Sequence, residues 1–223
     1  MRAIDLNADL GEGGTEDAAL LSLVTSCNIA CGGHAGSDDI MRKTVALALA
    51  SGVAIGAHPG YEDRENFGRL EMNLPLQSIT DLVARQVGKL AEFAGDHLHH
   101  VKPHGALYNQ ANRDASLAAA VVEGVRKISP KLMLYAPPLG ELSAAGRAAG
   151  LIVRAEGFAD RRYREDGSLV PRNEPGAVIS DIDEAVEQAV ELAQSGRIET
   201  LCVHGDGPHA VAMLRAIRAR LHA

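Results

Sequence analysis

Several polar residues sit where apolar runs end, at spacings that can do chemistry. Asp5, Asn7 and Asp9 alternate along one run, so in a strand all three side chains share a face. Two carboxylates and an amide on an inward face are costly unless a hydrogen-bonded network or a ligand compensates them, and a ligand is the more economical explanation. Lys102 and His104 share a face in Val-Lys-Pro-His-Gly, and His58 lies in Gly-Ala-His-Pro-Gly, each held beside a proline. A buried lysine needs a carboxylate or a ligand carboxylate next to it, and Asp5 and Asp9 are its natural partners within the chain. This set offers proton transfer from carboxylate or imidazole and anion binding by an ammonium.

Further candidates follow other apolar runs. Asn28 and His34 flank a glycine-rich turn, Cys27-Asn-Ile-Ala-Cys-Gly-Gly-His-Ala-Gly, whose backbone N–H groups can approach an anion; packing alone also produces such turns. Glu156 precedes Arg161, which can clamp a carboxylate or else form an ion pair with Asp160 or Glu165. His204 and Asp206 close the series. Cys31 has no local base and is set aside as a nucleophile. His97, His99, His100, His209 and His222 read as solvated or packed histidines. No GxxxxGK[ST] run and no GxGxxG after a strand is present, so any ATP must be held by other means.

The elements that position these residues alternate. Seven strand-like runs (3–9, 25–30, 53–58, 98–104, 132–136, 151–156 and 200–204) are interleaved with helical periodicity over 39–50, 76–94, 115–128, 139–149, 182–194 and 209–221. Over 182–194, Ile182, Ala185, Val186, Ala189, Val190 and Ala193 form one stripe, with Asp181 as N-cap and Gly196 as stop. Polar residues at six strand ends favour a closed parallel β/α barrel over an open sheet, which gathers ligands at one switch point. The long connections 59–75 and 157–180 carry Arg and aromatic residues and are expected to cover the substrate.

The 223 residues suit a single barrel domain spanning the chain. A net charge of −7 without a basic stretch argues against nucleic acid and anionic membrane as partners, and a charged N-terminus without a long apolar segment predicts a cytoplasmic protein. Three cysteines without CxxC spacing predict reduced core thiols, not a disulfide or thiolate zinc site.

Taken together, the segments beginning Asp5-Leu-Asn-Ala-Asp-Leu-Gly-Glu, Cys27-Asn-Ile-Ala-Cys-Gly-Gly-His, Ile55-Gly-Ala-His-Pro-Gly-Tyr and His100-Val-Lys-Pro-His-Gly resemble the LamB/YcsF family. Glu156-Gly-Phe-Ala-Asp-Arg-Arg-Tyr and Cys202-Val-His-Gly-Asp continue the match, so that it spans nearly the whole chain. The resemblance implies a seven-stranded β/α barrel of the glycoside hydrolase and deacetylase type. It also implies the A subunit's part in a 5-oxoprolinase, which converts 5-oxoproline to glutamate with ATP as co-substrate, Mg²⁺ on the nucleotide, and subunits B and C as partners. Two positions depart from the family: Gly33 stands where an aromatic is usual, which is expected to widen the pocket mouth, and Leu70 stands where a basic residue is common.

A five-membered lactam is a stable amide, so ATP coupling suggests phosphorylation of its oxygen followed by attack of water. Lys102 and Arg161 are then the anion partners, Asp9, His58 and Asp206 the candidate bases, and His104 a catalytic neighbour. Asp5, Asn7, Asn28, His34, Glu156 and His204 complete the substrate site. Two rivals remain: a metal-dependent deacetylase or amidohydrolase using Asp5, Asp9, His34 or His58, and a non-catalytic subunit that presents 5-oxoproline to its partners. No tightly bound metal is expected, since no HExxH spacing supports one and Lys102 would repel a nearby cation.

Overall fold

The computed structural model describes residues 4–207 and 209–221. Seven parallel strands, β1 (Asp5–Leu10), β2 (Ser26–Ala30), β3 (Ala54–His58), β4 (Leu98–Val101), β5 (Met133–Ala136), β6 (Val153–Phe158) and β7 (Thr200–Cys202), close into a barrel in chain order, β7 pairing back onto β1. Around it lie α1 (Asp17–Leu21), α2 (Asp38–Ser51), α3 (Leu76–Ala94), α4 (Gly105–Ala111), α5 (Ala115–Ile128), α6 (Glu141–Ala148), α7 (Ile182–Gln194) and α8 (Ala210–Leu221).

The seven strands are those the sequence predicts, with shifted ends. Residue 3 of the first predicted strand lies outside the described residues, as does His222. β4 stops at Val101 instead of 104, because Pro103 has no N–H for the ladder. The chain beyond it remains tied to the β3 side, with Lys102 N donating to the Ala57 carbonyl (2.9 Å) and His104 N to that of Pro59 (2.8 Å). The short helices α1 and α4 were not foreseen: each lies in a stretch read as a connection and is too short to show periodicity.

Alternation sorts the strands into two chemistries. Leu6, Ala8 and Leu10 of β1, Ile29 of β2, Ala57 of β3 and Leu201 of β7 are fully buried in the apolar core that the helices cover. The opposite parity turns Asp5, Asn7 and Asp9 to the barrel interior, with Asn7 level with Ser26 and Asp9 with Asn28. Capping fixes the helices: Ser37 Oγ accepts from Ile40 N (3.3 Å) at the start of α2, and Asp181 from Glu184 N (2.9 Å) at the start of α7. α3 packs on α5 at Gly124, where a Cβ would lie 2.7 Å from Val83 Cβ. Among the described residues no helix is long and apolar enough to cross a membrane.

Candidate active site

The polar interior is tiered, and each tier is closed by hydrogen bonds, as a buried polar network must be. At the N-terminal end Asp5 accepts from Ser26 Oγ (2.7 Å), Thr200 Oγ1 (2.6 Å) and Tyr135 Oη (3.2 Å). Asp5 is thus placed away from the strand ends and is not a partner of Lys102.

In the middle tier Asn7 Nδ2 donates to Glu156 Oε1 (3.1 Å) and Thr200 Oγ1 (2.7 Å), and Asn28 Nδ2 donates to Asn7 Oδ1 (2.8 Å). His100, read from sequence as a bystander, is fully buried here; its Nε2 lies 2.8 Å from Asn28 Oδ1 and its ring stacks on Tyr135 at 3.8 Å. Gly56 makes this possible, since a Cβ there would fall 2.1 Å from His100 Nε2. Burial foremost, with His99 and Lys102 nearby, holds the His100 imidazole well below its usual range, and therefore neutral.

Lys102 joins the middle tier to the mouth. Lys102 is 2% exposed, and its ammonium lies 3.0 Å from Asp9 Oδ1, 3.0 Å from Glu156 Oε1 and 3.0 Å from Cys202 Sγ, above the Phe158 ring. Burial pulls its pKa down, but Asp9, Cys202 and Glu156 outweigh that and hold it well above the lysine value. Burial pushes Asp9 up, yet His58 and Lys102 together hold it well below the carboxylate range. Tyr108, carried by α4, donates its hydroxyl to Glu156 Oε2 (2.9 Å).

The top tier gathers His34, His58 and His104 with Glu12. Glu12 escaped the sequence reading because it lies beyond the end of β1, after Gly11 in a positive-φ turn (φ 71°), where strand alternation no longer applies. Its signal was only an acid following a strand end. His34 Nε2 lies 3.0 Å from Glu12 Oε1, and its ring stacks on His104 at 3.6 Å. Burial, then Asp9 and Asp206, raises Glu12 well above its normal value against Arg69 and Lys102. Burial with His58 beside it lowers His34 to about 2, and burial with His34 and His58 lowers His104 well below the histidine range. The loop after β3 presses on this tier: Phe67 adopts φ 57°, an uncommon conformation for a non-glycine residue, and its carbonyl accepts from His104 Nε2 (2.9 Å).

The two long loops meet over the mouth. Asp206, after β7, pairs with Arg69 of the first loop and, at 2.9 Å, with Arg172 of the second. Burial raises the Asp206 pKa, but Arg172, His204 and Arg69 hold it below the carboxylate value, so it is an ionised and poorly basic group. His204 faces Asp160 (Nδ1 to Oδ2, 2.9 Å) and stacks on Phe158. Arg161 is turned away from the mouth: Nη2 donates to the Val170 carbonyl (2.6 Å), and Nε makes a longer contact with that of Ala177 (3.4 Å). It braces its own loop, while Arg69 and Arg172 face the opening. Gly33 does not widen the mouth, because a Cβ there would lie 2.6 Å from Gln86 Nε2, whose side chain fills the space and bonds both backbone groups of Gly60. Leu70 is exposed. Burial pushes the Cys31 thiol up to about 12, leaving it unreactive.

The site thus offers a buried ammonium between two carboxylates, a cluster of imidazoles with a glutamate, and two guanidiniums at the rim. Residues 4–223 match the LamB/YcsF family. The A subunit of a 5-oxoprolinase from Methylococcus capsulatus strain Bath is 49% identical, with 100% of this chain and 93% of that protein covered. The crystal structure of a lactam utilization protein from Thermus thermophilus superposes with a TM-score of 0.91 at 40% identity, covering 98% of this chain and 96% of that one. A family 4 carbohydrate esterase from Streptomyces lividans, 12% identical with a TM-score of 0.53 over 98% of this chain and 87% of its own, shares the fold alone. On the extent of the family match and of the two full-length relatives, this chain belongs to the LamB/YcsF family.

Proposed function

We propose that this chain is the A subunit of an ATP-dependent 5-oxoprolinase, working with subunits B and C, and that its barrel mouth is where the lactam ring of 5-oxoproline opens. The observation that carries the reading is the buried Lys102 ammonium set between Asp9 and Glu156, directly beneath an imidazole cluster and two rim guanidiniums. The relative that is named as the A subunit of a 5-oxoprolinase supports it.

The chemistry follows from the lactam. Phosphoryl transfer from ATP to the lactam oxygen makes the ring carbon electrophilic, and water then adds to it. Delivery of a proton to the ring nitrogen lets the C–N bond break, giving an acyl phosphate that a second water converts to glutamate and phosphate. In this chain Arg69 and Arg172 take the substrate carboxylate by exchanging it for Asp206, as paired guanidiniums do. Lys102 faces the charge that develops on the oxygen. The His58, His104 and Glu12 cluster activates the attacking water. ATP, with Mg²⁺, is held by a partner in the complex, since the chain has no glycine-rich phosphate loop.

The test is reconstitution with subunits B and C, following glutamate and phosphate release from 5-oxoproline and ATP. Glutamate should form only when this chain is present. Equal glutamate formation without it, or none with all three, refutes the reading.

A further inference from the structure

His58 and His104 meet edge to face, with His58 Nε2 and His104 Nδ1 2.9 Å apart. The other nitrogen of each ring is committed: His58 Nδ1 lies 2.7 Å from the Lys102 carbonyl oxygen, and His104 Nε2 lies 2.9 Å from that of Phe67. A carbonyl oxygen can only accept, so both outer nitrogens carry the hydrogen, which leaves the two facing nitrogens as the positions where each ring can offer a lone pair. Glu12 Oε1 is 3.6 Å from His104 Nδ1 and 4.0 Å from His58 Nε2, and Asp9 Oδ2 is 3.5 Å from His58 Nε2. Glu12, His58 and His104 therefore bring electron-pair donors within 4.8 Å of one another, with Asp9 Oδ2 beside His58.

We propose that this cluster binds one divalent transition-metal cation, held by His58 Nε2, His104 Nδ1, Glu12 Oε1 and Asp9 Oδ2. His34 is not a ligand. Its ring lies parallel to that of His104 (4°) at 3.6 Å, so an ion in the plane of His104 is out of the plane of His34; Nε2 donates instead to Glu12 Oε1 and orients it. Bonds of about 2.0 Å at tetrahedral angles put donor atoms roughly 3.3 Å apart, and the observed separations bracket that value. Anchoring of each ligating imidazole through its outer N–H to a backbone carbonyl is the arrangement metal-binding histidines use. Asp9, Glu12 and Glu156 set three carboxyl groups against the single Lys102 ammonium, which leaves room for a divalent charge. Lys102 does not oppose the ion, because Asp9 presents Oδ1 to the ammonium and Oδ2 to the cluster. The absence of an HExxH run is no obstacle, since the donors come from the ends of β1, β3 and β4.

The inference deepens the proposed function by naming what activates the attacking water, and it rests on that reading only for this role. Binding itself is tested on untagged, chelator-treated chain without partners or substrate, so failure of either idea shows separately. Titration with Zn²⁺ by calorimetry, and with Co²⁺ by its visible absorption, should give about one ion per chain and raise the melting temperature of the wild type. His34→Asn, which removes an outer partner, should weaken binding by ~10–100-fold, and Glu12→Gln by more. His209→Gln, a change on an exposed residue, should leave affinity unchanged. If Glu12→Gln or His104→Asn unfolds, a shift of the Co²⁺ spectrum on binding to His34→Asn supports the site. No saturable binding to folded wild-type chain, or unchanged affinity in Glu12→Gln and His104→Asn, overturns it.

Discussion

Replacing Lys102 by methionine removes the one cation of the barrel's inner network while conserving much of its length. Its ammonium makes 3.0 Å contacts with Asp9 and Glu156, both nearly inaccessible to water. Breaking a buried pair by deleting one partner typically costs about 3–5 kcal/mol, because the remaining charge is uncompensated. For a chain of this size about 1 kcal/mol shifts the melting temperature by roughly 2–4 °C, so a fall of about 6–20 °C is expected in circular dichroism melts at neutral pH. The same substitution removes a charged contact to the developing oxyanion, for which a loss of ~2–5 kcal/mol corresponds to one to four decades of rate. Turnover in the reconstituted complex, measured well below the lowered midpoint, should therefore fall by at least tenfold. A variant that melts lower yet turns over normally would confine Lys102 to neutralising Asp9 and Glu156 and refute its part in the chemistry. Unchanged melting would refute the buried ion pair itself.

Gly56→Ala should destabilise the fold by about 2–4 kcal/mol, since its Cβ would displace His100 from Asn28 and overpack the middle tier; a melting temperature within 2 °C of wild type, set against the roughly 4 °C or more implied, contradicts this. Asp206→Asn should lower KM with little change in kcat, because the substrate carboxylate then displaces no competing carboxylate from Arg69 and Arg172 and Asp206 is not the base; a large fall in kcat with a shifted pH profile would restore it as the base. Asp160 is pushed up by burial but held lower by His204, so its contribution to stability is present above an unfolded pKa of about 3.9 and is lost as pH falls through the lower folded value. Asp160→Asn should thus melt below wild type at neutral pH and converge with it in acid; a constant difference refutes the linkage. Asp181→Ala removes the α7 cap and should cost ~1 kcal/mol without altering turnover.

What the sequence made legible was governed by alternation. Asn7 and Asp9 could be assigned to an interior face because a strand repeats every two residues, Lys102 and His104 follow the same parity only because the chain beyond β4 stays hydrogen-bonded to the β3 side, and the barrel followed from polar residues at many strand ends. Alternation says nothing once the strand ends, which is why Glu12, two residues beyond β1, was passed over although it faces three histidines. His100 shares the parity of Lys102, yet its place depends on the missing side chain of Gly56 on the neighbouring strand, a cross-strand fact. Arg161 shows the reverse case: an arginine after a strand end is equally suited to substrate and to loop carbonyls, and residue type does not distinguish them. Neither loop length nor composition revealed that Asp206 would tie Arg69 to Arg172 across the mouth.

The most direct test of the central claim is a crystal structure of the chain with 5-oxoproline, alone or within the reconstituted complex. The account predicts the lactam carbonyl near Lys102 and the His58–His104–Glu12 cluster, with the substrate carboxylate on Arg69 and Arg172 and Asp206 displaced from at least one of them. A ligand bound away from the strand ends, for instance in the surface cleft between α2 and α3 beside Arg85 and Lys89, would contradict it.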